Sequence, residues 1–220
     1  MPAVEYAFDD GRHLEVRTMY CIGRNYAAHA REMNAPLPAN PLVFLKSATA
    51  YVPPGTDLHI PEISTYMLHE EDLVVVIGQG CDNINIAQAR SVVAGYGVGL
   101  DLTLRDRQSE AKQRGEPWTL SKAFRGSAPI SKIVSAELIP DPASLELELF
   151  VNNELRQQGK VSHMERSVDE LIVYLSAVFG LRRGDCIFTG TPEGVAALKP
   201  GDELRASLRN YTDLICRVAV

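Results

Sequence analysis

The run Leu73-Val74-Val75-Val76-Ile77 is the feature that most constrains how this sequence folds. Five consecutive large apolar side chains leave no side of the segment for water, so the whole run must be buried. Four of the five residues are β-branched and Gly78 follows at once, which is typical of a short strand rather than a helix. The sequence therefore predicts a buried strand here.

The elements predicted around this run indicate one fold class. Apolar residues at positions 145, 147, 149 and 151 alternate with Glu146 and Glu148, which predicts a half-buried strand turning at Asn152-Asn153. A capping box beginning at Ser167 opens a helix that Gly180 ends. The other predicted elements are a hairpin turning at Asp9-Asp10-Gly11, an extended and then helical segment over 18–33, a short helix over 86–93, an extended segment over 96–104, and strands over 186–188 and 203–208. Strands outnumber helices without alternating regularly with them, so we predict an α+β fold with a mixed or antiparallel sheet.

Length and composition bound the organisation and the partners. We predict a short hairpin segment over residues 1–17 and one main domain over 18–220. The net charge is −6 with Lys and Arg scattered, so the basic stripe of a nucleic-acid-binding protein is missing. No apolar run approaches the roughly 20 residues of a membrane span, and no secretory signal is evident, so a cytoplasmic location is expected. Four cysteines without a Cys-x-x-Cys pair are expected to be free thiols: Cys21, Cys81, Cys186 and Cys216.

Acidic residues stand directly before the predicted buried strand. In an extended chain Glu70 and Asp72 project to the same side, whereas Glu71 projects to the other. Adjacent carboxylates that lose hydration need a cation or a shared proton. Asp101 is a third acid, embedded in an apolar and glycine-rich segment. Three carboxylates suit Mg²⁺, Mn²⁺ or Ca²⁺, although the pattern also describes a solvated strand end and an Asp paired to an arginine.

Three other features carry polar groups suited to catalysis or anion binding. His29 and Glu32 share one helical face, where they could remove a proton from water or form an ordinary surface pair. The loop over 189–194 exposes hydroxyls and backbone N–H groups to an anion, or it is simply a turn. Lys122 lies among apolar residues, where it either extends to solvent or is held toward an anion.

Together these segments resemble the fumarylacetoacetate hydrolase family, in its short branch of acylpyruvases and oxaloacetate decarboxylases. The resemblance keeps the family's order and runs from about Cys21 to the C-terminus. The matching segments are 23–27 with His29 and Glu32, then 44–46, 68–78, 95–108, 117–124 and 188–195.

The resemblance implies a β-rich roll with mixed sheets and a few short helices, assembled as a homodimer. It implies Mg²⁺ or Mn²⁺, with Ca²⁺ as a substitute, on Glu70, Asp72 and Asp101. Asp72 departs from the family, which generally has a glutamate there, so a side chain one methylene shorter must reach the same ion. The family's catalytic positions fall on His29, Glu32 and Lys122, and the segment that carries His29 and Glu32 is expected to form a lid. The family's substrate-contacting positions fall on Arg24, Gln108, Gly190 and Thr191.

The implied reactions are cleavage of acylpyruvates to pyruvate and a carboxylic acid, and decarboxylation of oxaloacetate. Both leave a pyruvate enolate, whose charge the metal and Lys122 would stabilise. Hydrolysis would use His29, oriented by Glu32, to activate water, whereas decarboxylation requires no nucleophile. One alternative is an isomerase or decarboxylase of 2-hydroxyhepta-2,4-diene-1,7-dioate-type intermediates in aromatic degradation. The other is a non-catalytic metal-binding scaffold. The presence of His29, Glu32 and Lys122 argues against it, because a scaffold does not need them.

Overall fold

The computed structural model describes residues 4–220, and short β-strands make up most of its regular structure. The strands are β1 (Glu5–Ala7), β2 (His13–Glu15), β3 (Met19–Gly23), β4 (Leu42–Lys46), β5 (Tyr51–Val52), β6 (Met67–His69), β7 (Glu71–Ile77), β8 (Val93–Leu100), β9 (Thr103–Leu104), β10 (Ala128–Pro129), β11 (Val134–Ser135), β12 (Glu146–Val151), β13 (Glu154–Lys160), β14 (Cys186–Phe188), β15 (Ala196–Ala197), β16 (Glu203–Leu208) and β17 (Thr212–Arg217). The helices are α1 (Ala27–Glu32), α2 (Arg105–Arg114), α3 (Thr119–Lys122) and α4 (Val168–Phe179), with 3₁₀ helices over Ala48–Ala50, Ile86–Val92, Ala136–Leu138, Pro142–Ser144 and Val161–His163. Among the helices of residues 4–220, none combines the length and the apolar character that crossing a membrane requires.

β7 lies inside a six-stranded sheet, the main sheet, whose strand order is β11-β8-β7-β14-β3-β4. The strands pair antiparallel except β14 and β3, which run parallel, so the sheet is mixed as predicted. All seven residues of β7 are buried, which confirms the predicted buried strand. Its odd-numbered apolar residues face one core cluster and its even-numbered ones face another. The run is apolar throughout because both of its faces are covered.

Different elements cover the two faces of the main sheet. A four-stranded antiparallel sheet, β13-β12-β16-β17, packs against β7 and β8 and forms the larger core. The buried positions of β12 alternate as predicted, and the turn to β13 uses Asn152 and Asn153 at φ 52° and 64°. On the opposite face, Tyr6 and Phe8 are buried beside Phe188 in the second cluster. The result is an α+β roll with two cores.

The strand directions bring several strand ends to one edge of the main sheet. β7 begins at this edge, where Glu71 pairs with Leu100 at the end of β8. β14 and β3 both end there, because Phe188 pairs with Val74 and with Cys21. The residues that continue from these four strand ends are therefore collected around one point, and they include the acids predicted as ligands.

Most predicted elements agree with the structure, and two differ. β1 and β2 pair around Asp9-Asp10-Gly11, which confirms the hairpin, although residues 1–3 lie outside the described part. The capping box at Ser167 and the end of α4 at Gly180 are confirmed. The segment predicted as a helix over 86–93 is a 3₁₀ helix over Ile86–Val92. α2 is not predicted, because its ten residues include one apolar side chain, Ala111, and so carry no apolar stripe.

The glycines of β8 let neighbouring segments approach closely, and two of them differ in what they meet. A Cβ atom on Gly95 would lie 2.3 Å from the Val134 carbonyl oxygen, which the paired strand holds in place. A Cβ atom on Gly97 would lie 2.9 Å from the ends of the Ile133 and Ser131 side chains. Side-chain ends can shift more easily than paired backbone.

We therefore expect Gly95→Ala to destabilise the protein more than Gly97→Ala. Overpacking of this kind costs about 1–3 kcal/mol, and Gly95→Ala should fall at or above the upper end of that range. Urea denaturation followed by circular dichroism measures the free energy of unfolding of both variants. Equal losses would show that β11 moves as readily as the two side chains do.

Candidate active site

Three chain segments deliver the predicted ligands and loop residues to one place. Glu70 lies between β6 and β7, Asp72 is the second residue of β7, and Asp101 follows β8 directly. The Asp101 backbone N–H donates to the Glu70 carbonyl oxygen at 2.8 Å, which fixes the two residues opposite each other. After β14, the Gly190 backbone N–H donates to Asp72 Oδ1 at 2.5 Å. Backbone contacts, rather than flexible side chains, thus set the spacing of the acids.

A small cavity of about 90 Å³, the acid pocket, lies among these residues. It is lined by nine of the ten residues that the sequence assigns to the site, namely Arg24, His29, Glu70, Asp72, Asp101, Gln108, Lys122, Gly190 and Thr191. The tenth, Glu32, reaches the pocket through His29. The residues that sequence patterns place far apart are therefore brought together around one cavity.

Glu71 lies on the other face of the sheet, as the alternation along the strand predicts. Its carboxyl oxygen Oε1 accepts a hydrogen bond from the Ser207 backbone N–H at 3.3 Å. Its other oxygen is buried without a hydrogen-bond partner among residues 4–220. Burial raises the pKa of Glu71 well above its ordinary range. The hydrogen bond from Ser207 opposes this shift, and the negative charges of Asp72 and Glu148 add to it. Glu71 belongs to the core between the two sheets and not to the acid pocket.

The Lys122 ammonium lies between two of the three acids. Its Nζ atom is 2.7 Å from Glu70 Oε2 and 2.6 Å from Asp101 Oδ2, and all three side chains are buried. Burial alone would lower the pKa of Lys122, but the charges of Asp101 and Glu70 outweigh it and raise the pKa. Burial would likewise raise the pKa of Glu70, yet the charges of Lys122 and Arg105 lower it to about 2. Glu70 and Lys122 are therefore both charged near neutral pH.

Asp72 is the acid of the pocket that lacks a cationic partner within residues 4–220. Burial raises its pKa well above the ordinary range, and the nearby charges of Asp101 and Glu70 raise it further. The hydrogen bond from Gly190 opposes this shift but serves one of the two carboxyl oxygens. The same hydrogen bond holds the short side chain in place, at the position where the family generally has a glutamate. An additional cation in the pocket would relieve the unfavourable charge on Asp72.

The chemistry of these three acids fits a divalent cation. They offer oxygen donors alone, which Mg²⁺, Mn²⁺ and Ca²⁺ prefer. Asp101 Oδ1 is buried and accepts no aligned hydrogen bond from residues 4–220, although Lys46 Nζ lies 2.9 Å away. As the side chains stand, no three His, Cys, Asp or Glu residues in the described part of the chain are grouped closely enough to hold a metal. Lys122 takes the central position between Glu70 and Asp101 instead, so a bound cation would share these two carboxylates with its ammonium.

His29 and Glu32 form the predicted pair above the pocket. His29 Nδ1 lies 3.2 Å from Glu32 Oε2, and the imidazole is buried while Glu32 is exposed. The Gly194 backbone N–H donates to both Glu32 oxygens at 3.2 and 3.3 Å, which ties α1 to the loop after β14. Because a carboxylate accepts hydrogen bonds, it favours the tautomer with the proton on Nδ1 and leaves Nε2 as the base.

Sequence patterns miss two cations that hold the acids in place. Lys46 is fully buried and its ammonium contacts the carbonyl oxygens of Leu102, Lys122 and Ser127 as well as Asp101. Arg105 donates to Glu70 Oε1 at 3.0 Å and to the Gln108 side chain. Lys46 falls in a segment matched to the family, but the sequence around a lysine at the end of an apolar strand does not indicate which groups the lysine contacts.

Gln157 is a further residue that sequence patterns miss. Its side-chain oxygen lies 2.9 Å from His69 Nδ1 and accepts from the Glu71 backbone N–H at 3.1 Å. Its amide nitrogen donates to Thr191 Oγ1 and to the Pro192 carbonyl oxygen, each at 2.8 Å. One buried amide therefore connects the start of β7 to the loop that carries Thr191.

The chain matches one family of known proteins over almost its whole length. Residues 18–219 match the family model described as "Fumarylacetoacetate (FAA) hydrolase C-terminal". Oxaloacetate tautomerase FAHD1, mitochondrial, from Bos taurus is 44% identical over 202 residues, which cover 92% of this chain and 91% of that protein. Oxaloacetate tautomerase YcgM from Escherichia coli (strain K12) is 41% identical over 198 residues, which cover 90% of each.

Solved structures share the fold at similar identity. Fumarylpyruvate hydrolase from Pseudomonas aeruginosa in complex with Mn²⁺ and pyruvate superposes with a TM-score of 0.95 at 39% identity, covering 100% of this chain and 98% of that chain. The 2-hydroxyhepta-2,4-diene-1,7-dioate isomerase from Mycobacterium marinum gives a TM-score of 0.82 at 32% identity, covering 94% of this chain and 77% of that chain. These matches confirm the predicted fold type and the predicted family.

Lys46 provides a stability test of the charge arrangement. Lys46→Met keeps much of the side-chain volume but removes a buried cation next to Asp101, which leaves that carboxylate less compensated. We expect the free energy of unfolding to fall by about 3–5 kcal/mol, the usual cost of breaking a buried pair. Lys132→Met is the matched control, because Lys132 is exposed. Urea denaturation measures both, and similar small losses would contradict a structural role for Lys46.

Proposed function

Because this chain belongs to the fumarylacetoacetate hydrolase family, we propose that it is a divalent-metal-dependent enzyme that converts small 2-oxo acids through their enolates. The activities we propose are hydrolysis of acylpyruvates, decarboxylation of oxaloacetate and interconversion of its keto and enol forms. The observation that carries this proposal is the meeting of three buried carboxylates, the Lys122 ammonium and the His29–Glu32 pair around one cavity.

The names of similar proteins support the same chemistry. Proteins 41% and 44% identical to this chain are named oxaloacetate tautomerases, and a hydrolase structure 39% identical holds Mn²⁺ and pyruvate. Oxaloacetate and the acylpyruvates are both 2-oxo acids with an acidic C–H beside the oxo group. A site that stabilises the enolate of such an acid therefore serves all of these substrates.

We propose that Glu70, Asp72 and Asp101 hold Mg²⁺ or Mn²⁺, with Ca²⁺ able to substitute. When bound, the cation would supply Lewis-acid polarisation of the 2-oxo carboxylate and would stabilise developing negative charge. The oxygen-only donor set and the unfavourable charge on Asp72 support this assignment.

The chain's own groups then divide the remaining tasks. Lys122 stabilises negative charge at the oxo oxygen with its ammonium, which the acids keep protonated. Arg24 and Gln108 offer hydrogen-bond donors to the substrate, and the loop residues Gly190 and Thr191 border it on the other side. Lys122 and Gln108 are buried, which keeps water from screening them.

The His29–Glu32 pair moves the proton that distinguishes the reactions. In hydrolysis, His29 Nε2 takes a proton from water, the resulting hydroxide adds to the distal carbonyl, and the C–C bond breaks to leave a carboxylic acid and pyruvate enolate. In tautomerisation the same nitrogen takes a C3 proton from oxaloacetate, and the oxo oxygen gains a proton to complete the enol. In decarboxylation the C3–C4 bond breaks to release CO₂, and the enolate then takes up a proton without any nucleophile.

The size of the acid pocket favours short substrates over the seven-carbon dienes of the isomerase alternative. Its volume of about 90 Å³ is far below the roughly 300–1,000 Å³ of pockets that hold drug-sized ligands. A second cavity of about 130 Å³ lies beyond Arg24, lined by Leu37, Pro38 and Pro41 among others. A longer acid would have to extend from the acid pocket into that second cavity. A panel of oxaloacetate, acetylpyruvate, fumarylpyruvate and a heptadienedioate, each with Mg²⁺ and Mn²⁺, tests the ranking.

We also propose a homodimer located in the cytoplasm. β4 is the edge strand of the main sheet, and Leu45 on it is 46% exposed beside an open groove of about 1020 Å³. An unpaired apolar edge of this kind favours a second chain as its cover. Sedimentation equilibrium should give twice the chain mass of 24.2 kDa, and the chain mass itself would contradict the dimer.

The metal assignment predicts which carboxylates control cation binding. Glu70→Gln and Asp101→Asn keep the shape of each side chain but remove a charged donor, so neither variant should bind Mn²⁺ saturably. Glu71→Gln should bind it like the wild type, because Glu71 faces the other side of the sheet. Isothermal titration calorimetry measures binding directly, and EDTA should abolish activity until Mg²⁺ or Mn²⁺ is restored. Lost binding in Glu71→Gln alone would show that the strand register is wrong.

The dyad assignment predicts that two activities separate. Glu32→Gln weakens the orientation of His29 and should lower acetylpyruvate hydrolysis by about 10²–10⁴-fold, the usual contribution of a positioned base. Oxaloacetate decarboxylation should fall much less, since it needs no activated water. Glu137→Gln is the control, because Glu137 is exposed and remote from the pocket.

Steady-state kinetics measure both activities in each variant, and Mn²⁺ binding is checked in parallel. Equal losses of the two activities in Glu32→Gln, with the cation still bound, would remove the base from the mechanism.

A further inference from the structure

Lys112 is a cation at the mouth of the acid pocket that the proposed mechanism does not use. Arg105, Gln108 and Lys112 are spaced three and four residues apart on α2, so they share one face of the helix. All three line the acid pocket. At about 1.5 Å per residue, Lys112 lies roughly 10 Å further along the helix than Arg105. α2 therefore presents one cation at the acids and a second one near the entrance.

The two cations differ in their partners. Arg105 donates to Glu70 at 3.0 Å, and Lys46 and Lys122 are also paired with acids. Within residues 4–220, no carboxylate lies within 4.0 Å of Lys112 Nζ, which instead stands 5.0 Å from the centre of the Trp118 ring. The ring steadies the ammonium without neutralising it.

The surroundings of Lys112 are rich in positive charge. Burial lowers its pKa, and the nearby charges of Arg105, Arg24 and Lys122 lower it further. Arg24 also lines the pocket, and its guanidinium donates to the Pro36 carbonyl oxygen at 3.1 Å. Glu70, Asp72 and Asp101 balance positive charge at the inner end of the pocket, whereas no further acid among residues 4–220 lines it. A negative group of the substrate would be attracted to the outer end of the pocket.

We propose that Lys112 is a specificity-determining residue that binds the second carboxylate of a 2-oxo dicarboxylic acid. This inference rests on the proposed function, since it assumes that the first carboxylate and the oxo group lie at the acids. Substrates that end in a carboxylate, such as oxaloacetate, are then preferred over those that end in a methyl group, such as acetylpyruvate.

A matched pair of ligands tests the inference without turnover. 2-Oxoglutarate and 2-oxovalerate have the same carbon chain and differ in ending with a carboxylate or a methyl group. Trp118 is the one tryptophan of the chain and lies beside Lys112, so its fluorescence reports binding to the Mn²⁺-loaded protein. The wild type should bind 2-oxoglutarate more tightly by about 10–100-fold, the value of a charge-assisted hydrogen bond.

Lys112→Met should remove that preference by weakening 2-oxoglutarate alone, and Lys112→Arg should keep most of it. Arg114→Gln is the matched control, because Arg114 lies in the same last turn of α2 but does not line the pocket. In kinetics, Lys112→Met should raise the KM for oxaloacetate about 10–100-fold and leave acetylpyruvate within about twofold. Circular dichroism checks that each variant is folded.

The outcomes separate the inference from the proposed function. If the wild type turns over neither oxaloacetate nor acetylpyruvate, the proposed function fails, and the fluorescence titration still decides the role of Lys112. If the wild type is active but Lys112→Met weakens both ligands equally, or neither, the inference is overturned while the proposed function stands. An effect of Arg114→Gln equal to that of Lys112→Met would also overturn it, since general surface charge would then explain the preference.

Discussion

The contact of Lys122 with Glu70 and Asp101 is the interaction on which the rest of the site depends. Three carboxylates are buried within one pocket, and burial without compensating charge would cost several kcal/mol for each ion. The structure compensates with ammonium and guanidinium groups placed at 2.6–3.0 Å. Asp72 is left as the carboxyl with the least compensation, and this is where the pocket has most to gain from a further cation.

The combination of parallel and antiparallel strand pairing in the main sheet brings these charged groups together. Since β14 runs parallel to β3 but antiparallel to β7, the ends of both carry loop residues to the edge where β7 begins. The N–H group of Gly190 can then reach Asp72, and a side chain at Gly190 would collide with Asn25, whose Cβ would lie 2.8 Å away. Backbone N–H groups at the strand ends thus help to fix the positions of the acids, which limits how far they can relax away from one another.

The sequence predicts those parts of the molecule whose signal is local. The apolar run of β7, the alternation along β12 and the capping box of α4 each depend on near neighbours, and all three are confirmed. The family resemblance supplied the residues that line the pocket. What could not be predicted depends on contacts between distant segments. Lys46 reaches carbonyl groups more than 50 positions away, and α2 is held by polar contacts at the pocket rather than by an apolar stripe.

In the proposed mechanism, a charged centre and the residues around it have different tasks, which would let one fold serve several reactions. Hydrolysis, tautomerisation and decarboxylation share an enolate, so all of them need the acids and Lys122 in the same places. They differ in whether a proton must be taken from water, from carbon or from neither, and we propose that His29 and Glu32 on α1 make that difference. They differ also in substrate length and terminal charge, and we propose that the groups on α2 and beside Arg24 select for these two properties. We therefore expect substitutions near the pocket entrance to change substrate preference without disturbing the buried charges, whereas a change at the centre should remove the charge compensation that every proposed reaction uses.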